Sequence, residues 1–147
     1  MWKIMTDSSG LISGRENTDD ISFARVPFII DVDGVGYIDD DTLEEAMLVD
    51  AVDASREAGK TACPSPEAWL TAFGDADKII VVTISANLSG SYMSALTAKQ
   101  MLLEKHPGRQ VHVINSKGAG PTQTLCVRWI EKLIKQGLSF DEVTSRI

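Results

Sequence analysis

The sequence predicts an α/β fold in which a parallel β-sheet carries helices on both faces, as a three-layer domain. Strand-like and helix-like segments alternate along the chain, a pattern typical of parallel sheets with right-handed crossovers. The clearest strand is Lys78–Thr83, which is β-branched and almost continuously apolar, as expected of a strand buried on both faces. Predicted strands end in turns rich in Thr, Ser, Asp or Gly. In such folds, ligands bind at the carboxyl ends of the strands.

The first part of the chain predicts short strands. Trp2–Met5 is apolar and ends in the polar turn Thr6–Gly10. Ala24–Ile30 is predicted as one strand, and its Pro27 favours an edge position or a bulge. Asp31–Gly36 then predicts a turn, and Tyr37–Ile38 a brief returning strand.

Helices dominate the rest of the prediction. The first is expected over Thr42–Ala58, with the carboxylates of Asp39, Asp40 and Asp41 stabilising its start and Gly59 as its stop. Capping and stop signals place the other elements. These are a helix over Ser65–Phe73 that ends at Gly74, a helix from Gly90 to about Lys105, a strand over Gln110–Ile114, and a helix from Pro121 to about Gln136.

Composition indicates one globular domain over residues 1–147, with 44% hydrophobic and 24% charged residues. The net charge of −7 would repel nucleic-acid phosphates and anionic membranes, so we expect no nucleic-acid partner. No segment predicts a membrane span or an apolar signal region, and the cytoplasm is the expected compartment, with both cysteines reduced. The two Cys and two His residues lack metal-site spacing, so neither a metal nor a cofactor is expected.

The segment Ile84–Ala95 is the most informative part of the sequence because it joins the Lys78–Thr83 strand to a helix through a hydroxyl-rich turn. Ser89 is predicted as the helix N-cap, and Gly90 after it leaves the first amides free to meet an anion at the positive end of the helix dipole. No lysine or arginine lies between Lys78 and Lys99. The cradle therefore suits a carboxylate, or one end of a phosphate, better than a polyphosphate.

Three turns should converge at one edge of the predicted sheet, namely Thr6–Gly10, Ile84–Gly90 and Asn115–Gly120. Thr61, just ahead of another helix start, could join them. Further side chains that could line the site are Asp7, Ser8, Cys63, Ser85 and Ser116.

Several motifs together resemble the DegV family over essentially the whole chain. The matching segments are Thr6-Asp7-Ser8, Gly36–Asp39, Thr61-x-x-Pro64-Ser65, Ile84–Ala95, and Ser116 after a strand. DegV proteins are bacterial fatty-acid-binding proteins of two α/β lobes, and some present a bound fatty acid to fatty acid kinase for phosphorylation. The resemblance implies a noncatalytic carrier whose partners are a long-chain fatty acid and the catalytic subunit of a fatty acid kinase.

The resemblance also implies the residues that hold the ligand carboxylate. In the family, a threonine of a Thr-Ser-Gln-Pro-Ser segment and a serine of a Leu-Ser-Gly segment bind it, and these positions are Thr61 and Ser89 here. This chain departs from the family at Ala62-Cys63, where Ser-Gln is usual, and at Asn115-Ser116, where Asp-Ser is usual.

The family also has a second lobe, which contributes much of the acyl pocket. The capping box at Ser139–Glu142 is followed by only a few residues, so its helix looks cut short. The chain is therefore expected to be the N-terminal lobe of a two-lobed protein. An exposed apolar lobe surface could then drive homodimer formation.

Simpler interpretations remain beside these. Ser89 could be only a helix cap, Thr61 an ordinary loop residue, and the Thr6–Gly10 turn a polar loop that bonds its own backbone. The alternative function is a small-molecule enzyme or phosphate-binding module on the same turns. Its support is weak because the sequence offers no convincing general base or set of metal ligands. A Cys63 nucleophile with His112 as its base is also disfavoured, since His112 lies within a predicted strand.

Overall fold

The computed structural model describes residues 1–12 and 15–147. A four-stranded parallel sheet forms its centre, with strand order β2-β1-β6-β7. These strands are β1 (Trp2–Asp7), β2 (Ile21–Val26), β6 (Lys78–Thr83) and β7 (Gln110–Asn115). The predicted parallel sheet is confirmed, and β6 lies between β1 and β7, where its continuous apolar run is buried.

Helices cover both faces of this sheet, as the sequence predicts. Helices α2 (Pro66–Phe73) and α3 (Ser91–Lys105) bury Trp69, Phe73 and Leu102 against one face. Helices α4 (Pro121–Lys135) and α5 (Phe140–Thr144) cover the other, where Phe140 stacks on Trp2 with ring centroids 5.7 Å apart. The sheet is therefore the middle of three layers.

A second sheet of three strands lies between β2 and α2 in the sequence. Its strands are antiparallel in the order β4-β3-β5, with β3 spanning Ile29–Val32, β4 Val35–Ile38 and β5 Lys60–Ala62. The predicted single strand Ala24–Ile30 is wrong because the chain breaks at Pro27-Phe28 and the two parts join different sheets. The predicted turn Asp31–Gly36 is also too long, since the pairing of β3 and β4 leaves only Asp33-Gly34 between them.

The helix predicted over Thr42–Ala58 is shorter in the structure, where α1 spans Glu45–Ala54. The side chain of its N-cap, Glu44, makes no capping hydrogen bond, and Asp40 instead accepts hydrogen bonds from the Thr42 amide and hydroxyl. The C-cap is Ser55, not Gly59. No residue of α1 is buried, so its ends are not determined by packing against the core.

The capping predictions at two other helices are confirmed. Ser65 accepts a hydrogen bond of 3.2 Å from the Ala68 amide at the start of α2. Ser139 and Glu142 form the predicted capping box of α5. Both caps depend only on residues three apart, which is why the sequence reveals them.

Candidate functional site

The carboxyl ends of β1, β6 and β7 meet at one edge of the parallel sheet. The Ser85 amide, after β6, donates a 2.8 Å hydrogen bond to the Gly118 carbonyl after β7. The Ala86 amide donates to Asn115 Oδ1 over 3.1 Å, which ties the same two turns again. The turns predicted to converge are therefore adjacent in the structure.

Asp7 joins the end of β1 to the turn between β6 and α3. Its side chain is fully buried, and Oδ2 accepts hydrogen bonds from the Ile84 amide at 2.9 Å and the Ser91 hydroxyl at 2.6 Å. Oδ1 accepts from Gln123 Nε2 at 2.9 Å and from the Ser9 hydroxyl at 2.6 Å. Asp7 therefore lies beneath the site and fixes the turns, whereas the sequence suggested it only as a lining residue.

Gln123 extends this network to the start of α4. It is fully buried, its Nε2 also donates to the Val82 carbonyl over 3.2 Å, and its Oε1 accepts from the Gly120 amide over 3.2 Å. Sequence reasoning missed Gln123, Ser9 and Ser91 as members of this cluster. No local signal identifies them, since Gln123 and Asp7 are 116 residues apart.

The other serines predicted to line the site bond within the scaffold. Ser8 is buried, and its hydroxyl accepts from the Phe28 amide over 2.9 Å, which links the β1 turn to the segment that enters β3. Ser85 is buried and accepts from the Asn87 amide. The Ser116 hydroxyl donates to the Gly118 carbonyl within its own turn. These hydroxyls help to shape the turns.

Ser89 lies half-buried immediately before α3, but it is not the N-cap that the sequence predicted. Gly90 is the N-cap, the helix begins at Ser91, and Ser89 Oγ accepts a 3.2 Å hydrogen bond from the Ser91 amide. This bond occupies an acceptor position of the Ser89 oxygen and leaves its proton able to point outwards. Ser89 is therefore placed to donate a hydrogen bond to an anion.

The first turn of α3 also carries unpaired backbone donors. Within residues 1–12 and 15–147, the amides of Gly90, Tyr92 and Met93 form no hydrogen bond. Such amides lie at the positive end of a helix dipole, where a negative group is stabilised. Together with the Ser89 hydroxyl, they are hydrogen-bond donors at one helix start, a geometry that suits an anion.

Thr61 lies in the small antiparallel sheet, not in a strand-end turn. It lies in β5 opposite Ile30, which in turn lies opposite Tyr37, so these three side chains occupy one face of that sheet. The Thr61 side chain is exposed, and its hydroxyl has no hydrogen-bond partner in the described part of the chain. A donor is therefore available there as well.

Contacts after β5 bring this segment against the start of α3. Cys63 Sγ lies 3.3 Å from the point that a Cβ on Gly90 would occupy, and the Ser94 hydroxyl donates to the Pro64 carbonyl over 2.5 Å. Cys63 is half-buried at this contact. The segment that carries Thr61 is thereby held next to the Ser89-Gly90 turn.

Apolar side chains flank the unpaired amides. Leu88 and Met93 are 68% and 62% exposed on either side of the Ser89-Gly90 turn. The described residues contain no group of three or more His, Cys, Asp or Glu side chains arranged to hold a metal ion. Across the same residues, no helix is both long and apolar enough to cross a membrane.

Comparison with known proteins identifies the family to which the chain belongs. A family model described as "Uncharacterised protein, DegV family" matches residues 1–147. This chain belongs to the DegV family. A DegV domain-containing protein of Streptococcus gordonii is 43% identical over 149 residues, which cover 99% of this chain and 52% of that protein. The chain thus spans about half the length of the curated relatives it matches.

Solved DegV structures share the fold closely. The Streptococcus pneumoniae Fatty Acid Kinase (Fak) B3 protein loaded with linoleic acid has a TM-score of 0.91 and 40% identity, covering 99% of this chain and 52% of that one. A DegV family protein from Eubacterium eligens loaded with heptadecanoic acid has a TM-score of 0.90 and 34% identity, with the same coverage. The α/β architecture is therefore that of DegV proteins crystallised with fatty acids.

Proposed function

We propose that this chain binds a long-chain fatty acid by its carboxylate, as the first lobe of a noncatalytic carrier. The observation that carries the proposal is the set of unpaired donors at the Ser89-Gly90 turn. A fatty acid carboxylate accepts such donors through charge-assisted hydrogen bonds. The DegV relatives loaded with linoleic and heptadecanoic acid support the ligand class.

In this proposal, Thr61 and Ser89 donate to the two carboxylate oxygens, and the Gly90 amide donates between them. The contact of Cys63 with Gly90 supports the convergence of the two segments. Leu88 and Met93 would cover the first methylene groups of the acyl chain, and burial of apolar surface contributes about 25 cal/mol per Å².

The acyl chain needs more apolar surface than these residues offer. We therefore propose that a second lobe, which would correspond to the rest of the length of the DegV relatives, completes the pocket. Affinity measured on residues 1–147 should then be lower than that of a two-lobed DegV protein such as the S. pneumoniae relative.

We also propose that the carrier presents its carboxylate to a fatty acid kinase in the cytoplasm. The S. pneumoniae relative, which is named a Fatty Acid Kinase B3 protein, supports this partner. The free thiols of Cys63 and Cys126 suit a reducing compartment. Self-association of the chain stays a prediction, which sedimentation velocity over a range of concentrations would test.

Thermal unfolding with linoleic acid tests the proposed function. A ligand that binds the folded state must raise its stability by mass action, so the midpoint should rise with linoleic acid and not with methyl linoleate, which lacks the carboxylate. The rise should be much smaller in Ser89→Ala and in Thr61→Val. Ser145→Ala, at the exposed C-cap of α5, is the matched control and should keep the full shift.

The same experiment distinguishes fatty-acid binding from the alternative function, a phosphate-binding module. A midpoint that rises with inorganic phosphate and not with linoleic acid would favour a phosphate-binding module. Equal shifts with linoleic acid and its methyl ester would show that the acyl chain binds without the carboxylate site, and would overturn the assignment of Thr61 and Ser89.

A further inference from the structure

The buried carboxylate of Asp7 lies at the centre of the hydrogen bonds that join the turns. It is fully buried, and in the part of the chain that the structure describes it forms no salt bridge. Burying a charge is costly unless hydrogen bonds replace the lost water, and a neutral residue would avoid most of that cost. Four hydrogen bonds satisfy Asp7 here, which indicates that the carboxylate is used for its geometry.

The two oxygens of Asp7 have separate tasks. Oδ1 contacts the α4 side, through Gln123 and Ser9. Oδ2 contacts both ends of the turn that carries Ser89, through the Ile84 amide before it and the Ser91 hydroxyl after it. A single atom therefore bridges the end of β6 and the start of α3.

Ser91 transmits this constraint to the anion site. Its hydroxyl points inwards to Asp7 while its amide donates to Ser89 Oγ. The hydrogen bond from the Ser91 amide orients the Ser89 hydroxyl, whose proton then remains available to a ligand. A Ser91 side chain released from Asp7 would no longer hold the first turn of α3 in this orientation.

We propose that Asp7 is a positioning residue for the fatty acid carboxylate, acting through the Ser91 hydroxyl and the Ile84 amide to orient Ser89 and the first amides of α3. This inference rests on the proposed function. It adds Asp7 and Ser91 as residues that set affinity without contacting the ligand.

The sign of the effect of Asp7→Asn on affinity distinguishes positioning from electrostatics. A negative charge near a bound carboxylate repels it, so removing the charge alone would strengthen binding. An asparagine side chain has one carbonyl oxygen and one amide, so its amide must face either the donors at Ile84 and Ser91 or the donor of Gln123. In the first orientation the linkage to the Ser89 turn is lost, and in the second the linkage to α4 that holds residue 7 in place is lost. Loss of positioning therefore predicts weaker binding in both cases.

The test measures linoleic acid affinity in four forms of the chain, namely wild type, Asp7→Asn, Ser91→Ala and the double variant. We expect each single variant to bind about tenfold more weakly, as for the loss of one good hydrogen bond to a charged group. The double variant should bind no more weakly than Asp7→Asn, because both changes break the same linkage. Ser139→Ala removes a remote helix cap and should keep the wild-type affinity.

Equal or tighter binding by a folded Asp7→Asn variant would overturn the inference, and so would fully additive losses in the double variant. Where Asp7→Asn does not fold, Ser91→Ala decides alone, and wild-type affinity in that variant overturns the inference.

Amide hydrogen exchange without ligand separates this inference from the proposed function. The Ile84 and Ser91 amides should exchange faster in Ser91→Ala and Asp7→Asn than in wild type, while amides in α5 stay unchanged. If the wild-type chain does not bind linoleic acid, the proposed function fails. Independently of that result, unchanged exchange of the Ile84 and Ser91 amides in the variants would overturn the positioning role.

Discussion

Cys63 Sγ lies 3.3 Å from the point that a Cβ on Gly90 would occupy, so the segment after β5 touches the N-cap of α3 directly. This contact joins the segment that follows Thr61 in β5 to the turn between β6 and α3 that carries Ser89. A Cβ at this distance from the sulfur would be crowded, so the glycine leaves room for the Cys63 thiol. We therefore expect binding to respond to substitutions that change the size of the side chain at Gly90 or Cys63.

Gly90→Ala is expected to weaken linoleic acid binding because the new methyl group pushes Cys63, and with it the Thr61 segment, away from Ser89. Stability should change by less than about 1 kcal/mol, since the φ of −70° at Gly90 suits alanine. Binding and thermal unfolding measure the two effects. The double variant Gly90→Ala/Cys63→Ala restores the space and should recover affinity; failure to recover would show that the contact does not position the Thr61 segment.

Thr6→Val is expected to stabilise the protein by about 1 kcal/mol because a buried hydroxyl without a partner is unfavourable. Thr6 Oγ1 is buried and, among the described residues, has no hydrogen-bond partner. Thr83→Val is the matched change, since Thr83 is equally buried but donates to the Ile114 carbonyl over 3.2 Å. Urea unfolding should show opposite signs for the two variants, and a loss of stability in both would contradict the prediction.

Stability should fall as the pH drops through about 6.5, and His112 should account for part of the change. Desolvation, assisted by the Lys99 cation, lowers the pKa of His112 below its ordinary value of 6.5. The unfolded chain therefore binds a proton at a higher pH than the folded chain, so stability is greater above that value and declines towards the lower folded pKa.

Urea unfolding of His112→Gln between pH 5 and pH 8 measures this contribution. In His112→Gln, the free energy of unfolding should depend less steeply on pH near 6.5. In His106→Gln, at an exposed position after α3, the wild-type dependence should be retained. An unchanged slope in His112→Gln would assign the pH dependence to other groups.

The amides of α1 should exchange with solvent faster than those of α3. No residue of α1 is buried, Met47, Val49 and Val52 are exposed, and its N-cap makes no side-chain hydrogen bond. A ten-residue helix without packing or capping is marginal. Glu44→Ser supplies a capping hydroxyl and should slow exchange in α1 about fivefold, the effect of about 1 kcal/mol.

Global stability should be nearly unchanged in Glu44→Ser because α1 contributes little to the core. Exchange in α1 as slow as in α3 before any substitution would show that tertiary contacts already hold the helix, and would contradict the prediction.

Features that depend on neighbouring residues could be predicted from the amino-acid sequence. The buried strand Lys78–Thr83, the cap at Ser65 and the capping box at Ser139 were all predicted and are present. Alternation of strands and helices predicted the parallel sheet, and the order of the motifs predicted the DegV family. These signals are local because hydrophobic periodicity and helix capping involve residues only a few positions apart.

The sheet that each strand joins, and the buried side chains that connect the turns, could not be predicted from local patterns. Residues 24–30 were predicted as one strand, but β2 and β3, on either side of Pro27-Phe28, belong to different sheets. Ser89 was predicted as the N-cap of α3, but the helix begins at Ser91, whose buried hydroxyl donates to Asp7, 84 residues away. Such pairings are chosen by packing and hydrogen bonding between distant segments, and no local pattern in the chain encodes them.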